Sequence, residues 1–275
     1  MGLARGIIDE QRRRPLRPHA KGWLACALSF AAGVVDAVGW LLLFHVFTSH
    51  MSGNTVSWGI ALARGEAAEA IRHGWPLVPF VLGLLFSAAT TAAARRHGWH
   101  SSFSIALITE FALLASFLWL ATQYPLSAAP GFANGPGFYL ITALPAAAMG
   151  IQTVTVTRVA GLRVYTTYVT GTLSKWAEAV VAYGYWVRDR ARGRGGRRWR
   201  RILRVTPRQS YARHAVLTTG LWAAYFAGGL SGAMLETRYG ANAVVVSLIV
   251  LAAAIVVDLA APVAAADEPG SFDDL

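Results

Sequence analysis

Six long apolar stretches, separated by loops of uneven charge, constrain this chain more than any other feature of its sequence. They cover approximately residues 23–44, 75–94, 102–122, 138–157, 213–235 and 241–262. An apolar helix needs about 20 residues to cross the hydrocarbon core of a bilayer, and a soluble domain has no use for six such segments. Only 14% of the residues are charged, against about 25% in a typical soluble domain. The sequence therefore predicts an all-α, polytopic transmembrane bundle over residues 23–262.

The charged residues predict the orientation of this bundle. Basic residues crowd the N-terminal segment 1–22, follow the second and fourth spans, and fill the loop 188–212, whereas the loop 123–137 carries no charge. Because Lys and Arg concentrate on the cytoplasmic side of membrane proteins, this alternation places every basic cluster inside. We expect a multi-pass protein of the bacterial cytoplasmic (inner) membrane with the N-terminus and the acidic C-terminal tail, 263–275, both cytoplasmic.

The net charge of +11 is explained by these loops, so no nucleic-acid partner is predicted. Arg197, Arg198, Arg200 and Arg201 lie in the basic loop, where we expect contacts with anionic lipid head groups of the bilayer. The single cysteine and the scattered histidines predict no metal site and no cofactor. The sequence leaves open whether the chain forms a homo-oligomer.

One further stretch, residues 166–187, is apolar enough to complicate the count of spans. A full crossing there would move the Arg-rich loop to the outside, against the positive-inside bias. Lys175 and Glu178 near its middle would add a few kcal/mol to the cost of insertion. We expect this segment to dip into the membrane or to lie at its inner surface.

A local pattern recurs in the two halves of the chain. The segment Met51-Ser52-Gly53-Asn54 leads to Trp58, and Val169-Thr170-Gly171-Thr172 leads to Trp176 with the same spacing from Gly to Trp. If these motifs mark a repeat, the halves are approximately 23–122 and 138–262, each with three spans and one short interrupted or re-entrant helix. An odd number of spans inverts one half relative to the other, a plan that recurs among secondary transporters.

The motifs themselves suggest helix-end contacts to a solute. Ser, Thr and Asn are preferred N-cap residues, and a helix N-terminus at membrane depth offers free N–H groups to a polar or anionic group. The candidate residues are Ser52, Gly53, Asn54, Thr55, Thr170, Gly171 and Thr172. Ordinary interfacial helix caps are the alternative interpretation.

Three other polar residues fall within apolar spans. Asp36 lies in the first span, on a face shared with Ser29, Gly33 and Trp40, and an intramembrane carboxylate is costly unless it is protonated or paired. It is a candidate for binding a coupling proton or cation, or for capping a neighbouring interrupted helix. Glu110 and Gln152 are further candidates for the solute or ion pathway, with interhelical hydrogen bonding as the alternative.

The stretch Gly33-Val34-Val35-Asp36-Ala37-Val38-Gly39, followed by Phe47 and Met51-Ser52-Gly53-Asn54-Thr55, resembles the YoaK-like family of bacterial membrane proteins, which is classed under a domain of unknown function. The second-half pieces Met149-Gly150-Ile151-Gln152 and Val169-Thr170-Gly171-Thr172 are similar to that family's pattern as well. The resemblance covers approximately Trp23 to Leu259. It implies a membrane protein and no particular substrate.

The sequence favours a small secondary transporter or permease for a small polar or anionic solute, with Asp36 as the coupling carboxylate. No hydrolase, metalloprotease, Walker or dinucleotide motif is present, so no enzyme is predicted. Two alternatives stay open at this point. One is a membrane scaffold or accessory protein; the other is an intramembrane enzyme, for which Asp36 and Glu110 are the sole candidate pair.

Overall fold

The computed structural model describes residues 16–97, 99, 101, 103–123, 135–155, 158–159, 162–163, 166–192, 202 and 204–261. This part of the chain holds nine α-helices: α1 Pro18–Leu42, α2 Met51–Ala63, α3 Ala67–Gly74, α4 Leu77–Arg96, α5 Ser104–Gln123, α6 Pro136–Thr155, α7 Val169–Ala191, α8 Ser210–Tyr239 and α9 Val245–Ala260. Two short 3₁₀ helices, Thr206–Arg208 and Gly240–Val244, flank α8. Two-residue strands β1 (Arg158–Val159) and β2 (Leu162–Arg163) pair antiparallel between α6 and α7.

The predicted all-α membrane bundle is confirmed. Five segments are long and apolar enough to cross a bilayer, judged by length and composition: His19–Leu42, Ala67–Ala94, Ser104–Gln123, Pro136–Thr155 and Ser210–Ala260. The last of them contains both α8 and α9, so a helix corresponds to each of the six predicted spans. The segment predicted to dip, 166–187, forms most of α7, which is not among the five.

The chain reverses direction directly after α1. Leu42 ends this helix, and Phe44 and His45 adopt positive φ angles of 54° and 62°, a conformation that costs most non-glycine residues roughly 1–2 kcal/mol. The reversal returns residues 46–50 alongside the last two turns of α1 before α2 begins. Asp36 lies six residues before the end of α1 and faces the returning segment.

The predicted N-cap residues do not occupy cap positions. His50 is the N-cap of α2 and Tyr168 that of α7, so Ser52, Asn54, Thr170 and Thr172 all lie inside the first helical turn. The two segments also differ in length from the prediction. The first-half segment is divided into α2 and α3, whereas α7 is a single helix of 23 residues rather than a short one.

Two pairs of helices cross with their backbones in close contact, α1 with α8 and α4 with α6. A Cβ atom on Gly33 would overlap the carbonyl oxygen of Tyr225 and lie 2.9 Å from the nitrogen of Gly229. A Cβ atom on Gly150 would overlap the carbonyl oxygen of Phe80 in α4. Small residues at such crossings permit the close packing on which helix association in membranes depends.

The two crossings match residue by residue. Gly33 meets Tyr225 and Gly229, and Gly150 meets Phe80 and Leu84; Gly228 meets Phe30, and Gly83 meets Ala147. The α1 positions precede their α6 counterparts by 117 residues, and the α4 positions precede their α8 counterparts by 145. The first helix of each half thus packs on the second apolar helix of the other half through the same reciprocal contacts.

Candidate functional site

The carboxylate of Asp36 is the centre of the most connected polar cluster among the described residues. Its Oδ1 atom accepts hydrogen bonds from the backbone N–H of Thr48 at 3.0 Å, from that of Ser49 at 2.7 Å, and from the Thr48 hydroxyl at 2.5 Å. Its Oδ2 atom accepts from the Ser49 hydroxyl and the Tyr225 hydroxyl, and lies 2.8 Å from Nδ1 of His50. Only 5% of Asp36 is exposed. The returning segment and α8 thereby supply hydrogen-bond donors to a nearly buried carboxylate.

His50 is the partly exposed partner of the buried Asp36 carboxylate. Its Nδ1 atom contacts the carboxylate and lies 3.2 Å from the Tyr225 hydroxyl, while 33% of its side chain is exposed. The hydrogen bond to Asp36 raises the pKa of His50 above 6.5, against the opposing effect of burial, and the Coulombic attraction of the carboxylate adds to the rise. The pair therefore favours a protonated imidazole next to an ionised carboxylate.

An open cleft of about 350 Å³ adjoins the cluster, between α1, the returning segment and α8. His50 and Tyr225 contribute its polar edge, and Asp36 lies at its base. The rest of its wall is apolar, with Trp40 and Phe47 as the largest side chains and Gly33, Ala37, Gly229 and Ala233 as the smallest. The arrangement can exchange a proton at its base and accommodate an apolar group in front of it.

Asn54 of the first predicted motif holds the returning segment, residues 46–50, in place. The Asn54 side chain is 1% exposed and forms a reciprocal pair with the backbone of Phe47: Nδ2 donates to the carbonyl at 2.7 Å, and Oδ1 accepts from the N–H at 3.1 Å. The Thr55 hydroxyl donates to the carbonyl of Met51 within α2. Ser52 and Thr55 are exposed, and Gly53 packs against the Phe47 ring. None of the four lines the cleft.

The second half holds an uncharged counterpart of the cluster. Thr153 and Thr167 stand 117 residues after Asp36 and His50, and their hydroxyl oxygens are 2.7 Å apart. Phe80, without a hydroxyl, takes the place that Tyr225 has in the first half. The adjacent Gln152 is 1% exposed and donates to the carbonyl of Leu28 in α1 at 2.7 Å. The uncharged Thr153–Thr167 pair joins α6 to the segment before α7, and Gln152 joins α6 to α1.

The second predicted motif is likewise bound to its own helix. The Thr172 hydroxyl donates to the carbonyl of Tyr168 at 2.9 Å, and Gly171 packs under the Tyr168 ring. Thr170 is exposed. The predicted contacts of these residues with a solute stay predictions, as do those of Ser52 and Asn54.

Glu110 does not join the Asp36 cluster. It is fully buried in α5, and neither of its carboxyl oxygens has a hydrogen-bond partner among the described residues. It does not line the cleft. Among the described residues no hydrogen bond joins Glu110 to Asp36, the two groups that an intramembrane enzyme would use.

Arg197, Arg198, Arg200 and Arg201 lie outside the described residues. Within the described part of the chain, no three His, Cys, Asp or Glu side chains cluster in a way that could hold a metal ion.

Sequence reasoning missed four members of the cluster: Thr48, Ser49, His50 as a partner of Asp36, and Tyr225. Tyr225 is 189 residues from Asp36, and no local pattern links them. The sequence did indicate that such residues exist, because a buried carboxylate such as Asp36 needs hydrogen-bond donors. The polar run Thr48-Ser49-His50 just after the first span was the nearest source of them.

The chain is similar to two curated membrane proteins. It is 27% identical over 157 residues to the UPF0700 transmembrane protein YoaK of Bacillus subtilis (strain 168), a match that covers 57% of this chain and 66% of YoaK. It is 29% identical over 217 residues to the UPF0700 transmembrane protein RA0705 of Rhizobium meliloti (strain 1021), which covers 79% of this chain and 76% of that protein. No solved structure matches the chain.

A family model supports the same relationship over most of the chain. The model described as "Protein of unknown function (DUF1275)" matches residues 24–257. This range begins within α1, ends within α9, and includes Asp36, His50 and Tyr225. The predicted resemblance to the YoaK-like family is thus confirmed: this chain is an integral membrane protein that belongs to the DUF1275 family.

Proposed function

We propose that this membrane protein is a proton-coupled secondary transporter of a small solute, with Asp36, His50 and Tyr225 as its proton-binding group. One observation carries the proposal: a buried carboxylate on a membrane-spanning helix is hydrogen-bonded to a part-exposed histidine at the base of a cleft. Intramembrane carboxylates and their histidine partners recur in proton relays of transporters because such groups are too costly to retain without a use.

Alternating access would require the segment 46–50 to move. Thr48, Ser49 and His50 of this segment all bond to the Asp36 carboxylate, so a change in the charge of the pair alters bonds that hold the segment. Protonation of Asp36 would weaken the charge-assisted bonds from Thr48, Ser49 and His50, which are stronger than neutral ones. Solute bound in the cleft and protons bound to Asp36 and His50 would thereby both affect the position of the segment 46–50.

The reciprocal crossings of α1 with α8 and α4 with α6 support an inverted repeat. Two halves with three spans each point in opposite directions, and matched contacts between them give the molecule an approximate two-fold relation. Transporters with this plan place their sites where the halves meet. On this proposal the charged cluster and the Thr153–Thr167 pair belong to opposite faces of the membrane.

The orientation can be tested with single cysteines. Cys26 is the only cysteine in the sequence, so Cys26→Ala provides a background for Ser52→Cys and, separately, Thr170→Cys, both at exposed positions. A membrane-impermeant maleimide should label the two variants from opposite sides of the bacterial cytoplasmic membrane. Labelling of both from one side would contradict the inverted repeat.

The transport proposal is tested in proteoliposomes with pyranine inside as a pH indicator. Representative solutes, namely an amino acid, a sugar, a monocarboxylate and a dicarboxylate, are added outside one at a time, with protein-free vesicles as background. We expect one of them to acidify the interior with the native chain and not with Asp36→Asn. The matched control is Ser116→Ala. Ser116 is exposed on α5 and does not line the cleft. Equal proton uptake by native chain and Asp36→Asn would remove Asp36 from the mechanism.

The number of hydrogen bonds on Asp36 favours a second candidate function, that of a membrane scaffold or accessory protein whose polar cluster stabilises packing. On that alternative, Asp36→Asn lowers the melting temperature of the protein and no solute drives proton movement. The two candidates therefore differ in the vesicle assay and agree in the stability assay.

Three further features belong to the proposal. We place both termini on the cytoplasmic side, and we assign the contact with anionic lipid to Arg197, Arg198, Arg200 and Arg201. Assembly into a homo-oligomer stays open within it. The lipid contact is tested by the amount of phosphatidylglycerol that stays bound to the detergent-purified native chain and to a four-residue Arg→Gln variant, and equal amounts would contradict it.

A further inference from the structure

Four of the residues that line the cleft carry polar groups: the carboxylate of Asp36, the imidazole of His50, the hydroxyl of Tyr225 and the indole N–H of Trp40. Each oxygen of Asp36 already accepts from three donors, and an ionised carboxylate has about four lone-pair positions in all. The Tyr225 hydroxyl donates its single proton to the same carboxylate, so it has no further proton to donate to a ligand. His50 has its Nδ1 atom engaged, and no bond of its Nε2 atom to the described residues is found, although the ring lines the cleft.

The charge of His50 follows from its neighbours. Among the described residues, the titratable side chains that face His50 are Asp36 from α1 and Tyr225 from α8. His45, which precedes the segment 46–50, packs instead against Trp40, with ring centroids 4.2 Å apart. The Asp36 carboxylate favours the imidazolium form. Nδ1–H then donates to Asp36, and Nε2–H is the donor of His50 that remains for a ligand.

The cleft lining next to His50 suits an apolar body. Trp40 and Phe47 present aromatic surface, and Ala37 and Gly229 leave room between them. A strongly hydrated ion such as phosphate would lose its water here and gain few hydrogen bonds in return, which is unfavourable. A ligand cation would meet a donor and a positive ring, with no free lone pair on Asp36.

We propose that this cleft binds a monocarboxylate with an apolar body, whose carboxylate accepts a hydrogen bond from Nε2 of His50 while Trp40 and Phe47 cover the body. The inference rests on the proposed transport function, for which it names the substrate class. Two sources share this chemistry: a water-soluble aromatic acid and a fatty acid from the bilayer.

The test uses the purified full chain in maltoside detergent, with the melting temperature as readout. The probes are benzoate and octanoate, with benzyl alcohol and benzylamine as analogues that keep the ring and lack the carboxylate. We expect one of the acids to raise the melting temperature by several degrees at pH 6, and to lose this effect as the pH rises through the pKa of His50, which the bond to Asp36 raises. A shift by benzoate indicates the aqueous source, and a shift by octanoate the membrane source.

The control variants separate the site from general effects. His50→Gln should abolish the shift, and Ser116→Ala should keep it. Stabilisation by benzylamine or benzyl alcohol equal to that by benzoate would overturn the proposal, as would an unchanged acid shift in His50→Gln. Because the native chain with its four probes already discriminates between the outcomes, poor folding of a variant leaves the result interpretable.

The outcomes also distinguish this inference from the transport proposal. If neither acid binds but another solute drives Asp36-dependent proton uptake, the substrate class is wrong and transport stands. If an acid binds through His50 and no solute moves protons in vesicles, the binding site stands and transport is wrong.

Discussion

Replacing Asp36 by Asn tests whether charge, rather than shape, holds the segment 46–50 against α1 and α8. Asparagine keeps one oxygen for the three donors on Oδ1 and puts an amide NH₂ where Oδ2 now accepts from Ser49, His50 and Tyr225. The two hydroxyls can rotate to accept from this group, and the imidazole can change tautomer. The variant should therefore fold with the same shape and lose chiefly the contribution of the charge.

The size of that loss can be estimated from the contacts. Hydrogen bonds to charged groups contribute about 1.5–3 kcal/mol each, against about 0.5–1.5 kcal/mol for neutral ones. With three donors on Oδ2 affected, each losing about 1–1.5 kcal/mol, Asp36→Asn should lower the free energy of unfolding by about 3–5 kcal/mol. For a chain of this length, that corresponds to a fall in melting temperature of about 6–20 °C.

The pH dependence gives an independent signature. His50 has a raised pKa in the folded state because of its bond to Asp36. Its contribution to stability is complete below the pKa of histidine in the unfolded chain, about 6.5, and is lost as the pH rises through the higher folded-state value. The melting temperature of the native chain should fall over this interval, and that of Asp36→Asn should fall less.

The assay is tryptophan fluorescence on heating the detergent-purified protein between pH 5.5 and pH 9. The matched control is Asp258→Asn, because Asp258 is equally buried and accepts from Ser101 at 2.6 Å and Ser104 at 2.7 Å. That variant should lose stability without a change in the pH slope near neutrality. Native-like stability of Asp36→Asn, or a slope equal to that of the native chain, would refute the role assigned to the charge.

Three further predictions concern packing and the other polar groups. Gly33→Ala puts a Cβ atom onto a backbone oxygen of α8, so its melting temperature should fall well below that of Gly184→Ala, a position with no atom within 4 Å; equal values would contradict the close crossing. Asn54→Ala removes both bonds to the backbone of Phe47, at a cost of about 1–3 kcal/mol, and should speed hydrogen exchange in residues 46–50; unchanged exchange would count against this support. Glu110→Gln should melt within a few degrees of the native chain, since no partner of its carboxyl oxygens is found in the described residues, whereas a large loss would reveal an unrecognised ionic partner.

Local properties of the sequence determined the architecture. Hydropathy summed over about 20 residues decides whether a helix can span a bilayer, so the six apolar stretches predicted α1, α4, α5, α6, α8 and α9. The same reasoning identified Asp36, because a carboxylate in an apolar span needs partners wherever they come from. The recurrence of glycine at Gly33 and Gly150 was also visible in the sequence.

The tertiary structure alone decided what those residues contact. The donors to Asp36 arrive through a chain reversal at two positive φ angles and through Tyr225 on a helix near the far end of the chain, and neither has a local signature. Asn54 and Thr172, predicted from propensity as helix N-caps, lie inside the first helical turn and bond to nearby backbone carbonyls, since buried polar side chains need partners. Spacing along a sequence fixes which residues share a helical face, whereas the partner of that face depends on how distant helices cross, and here the crossing is set by glycines in opposite halves.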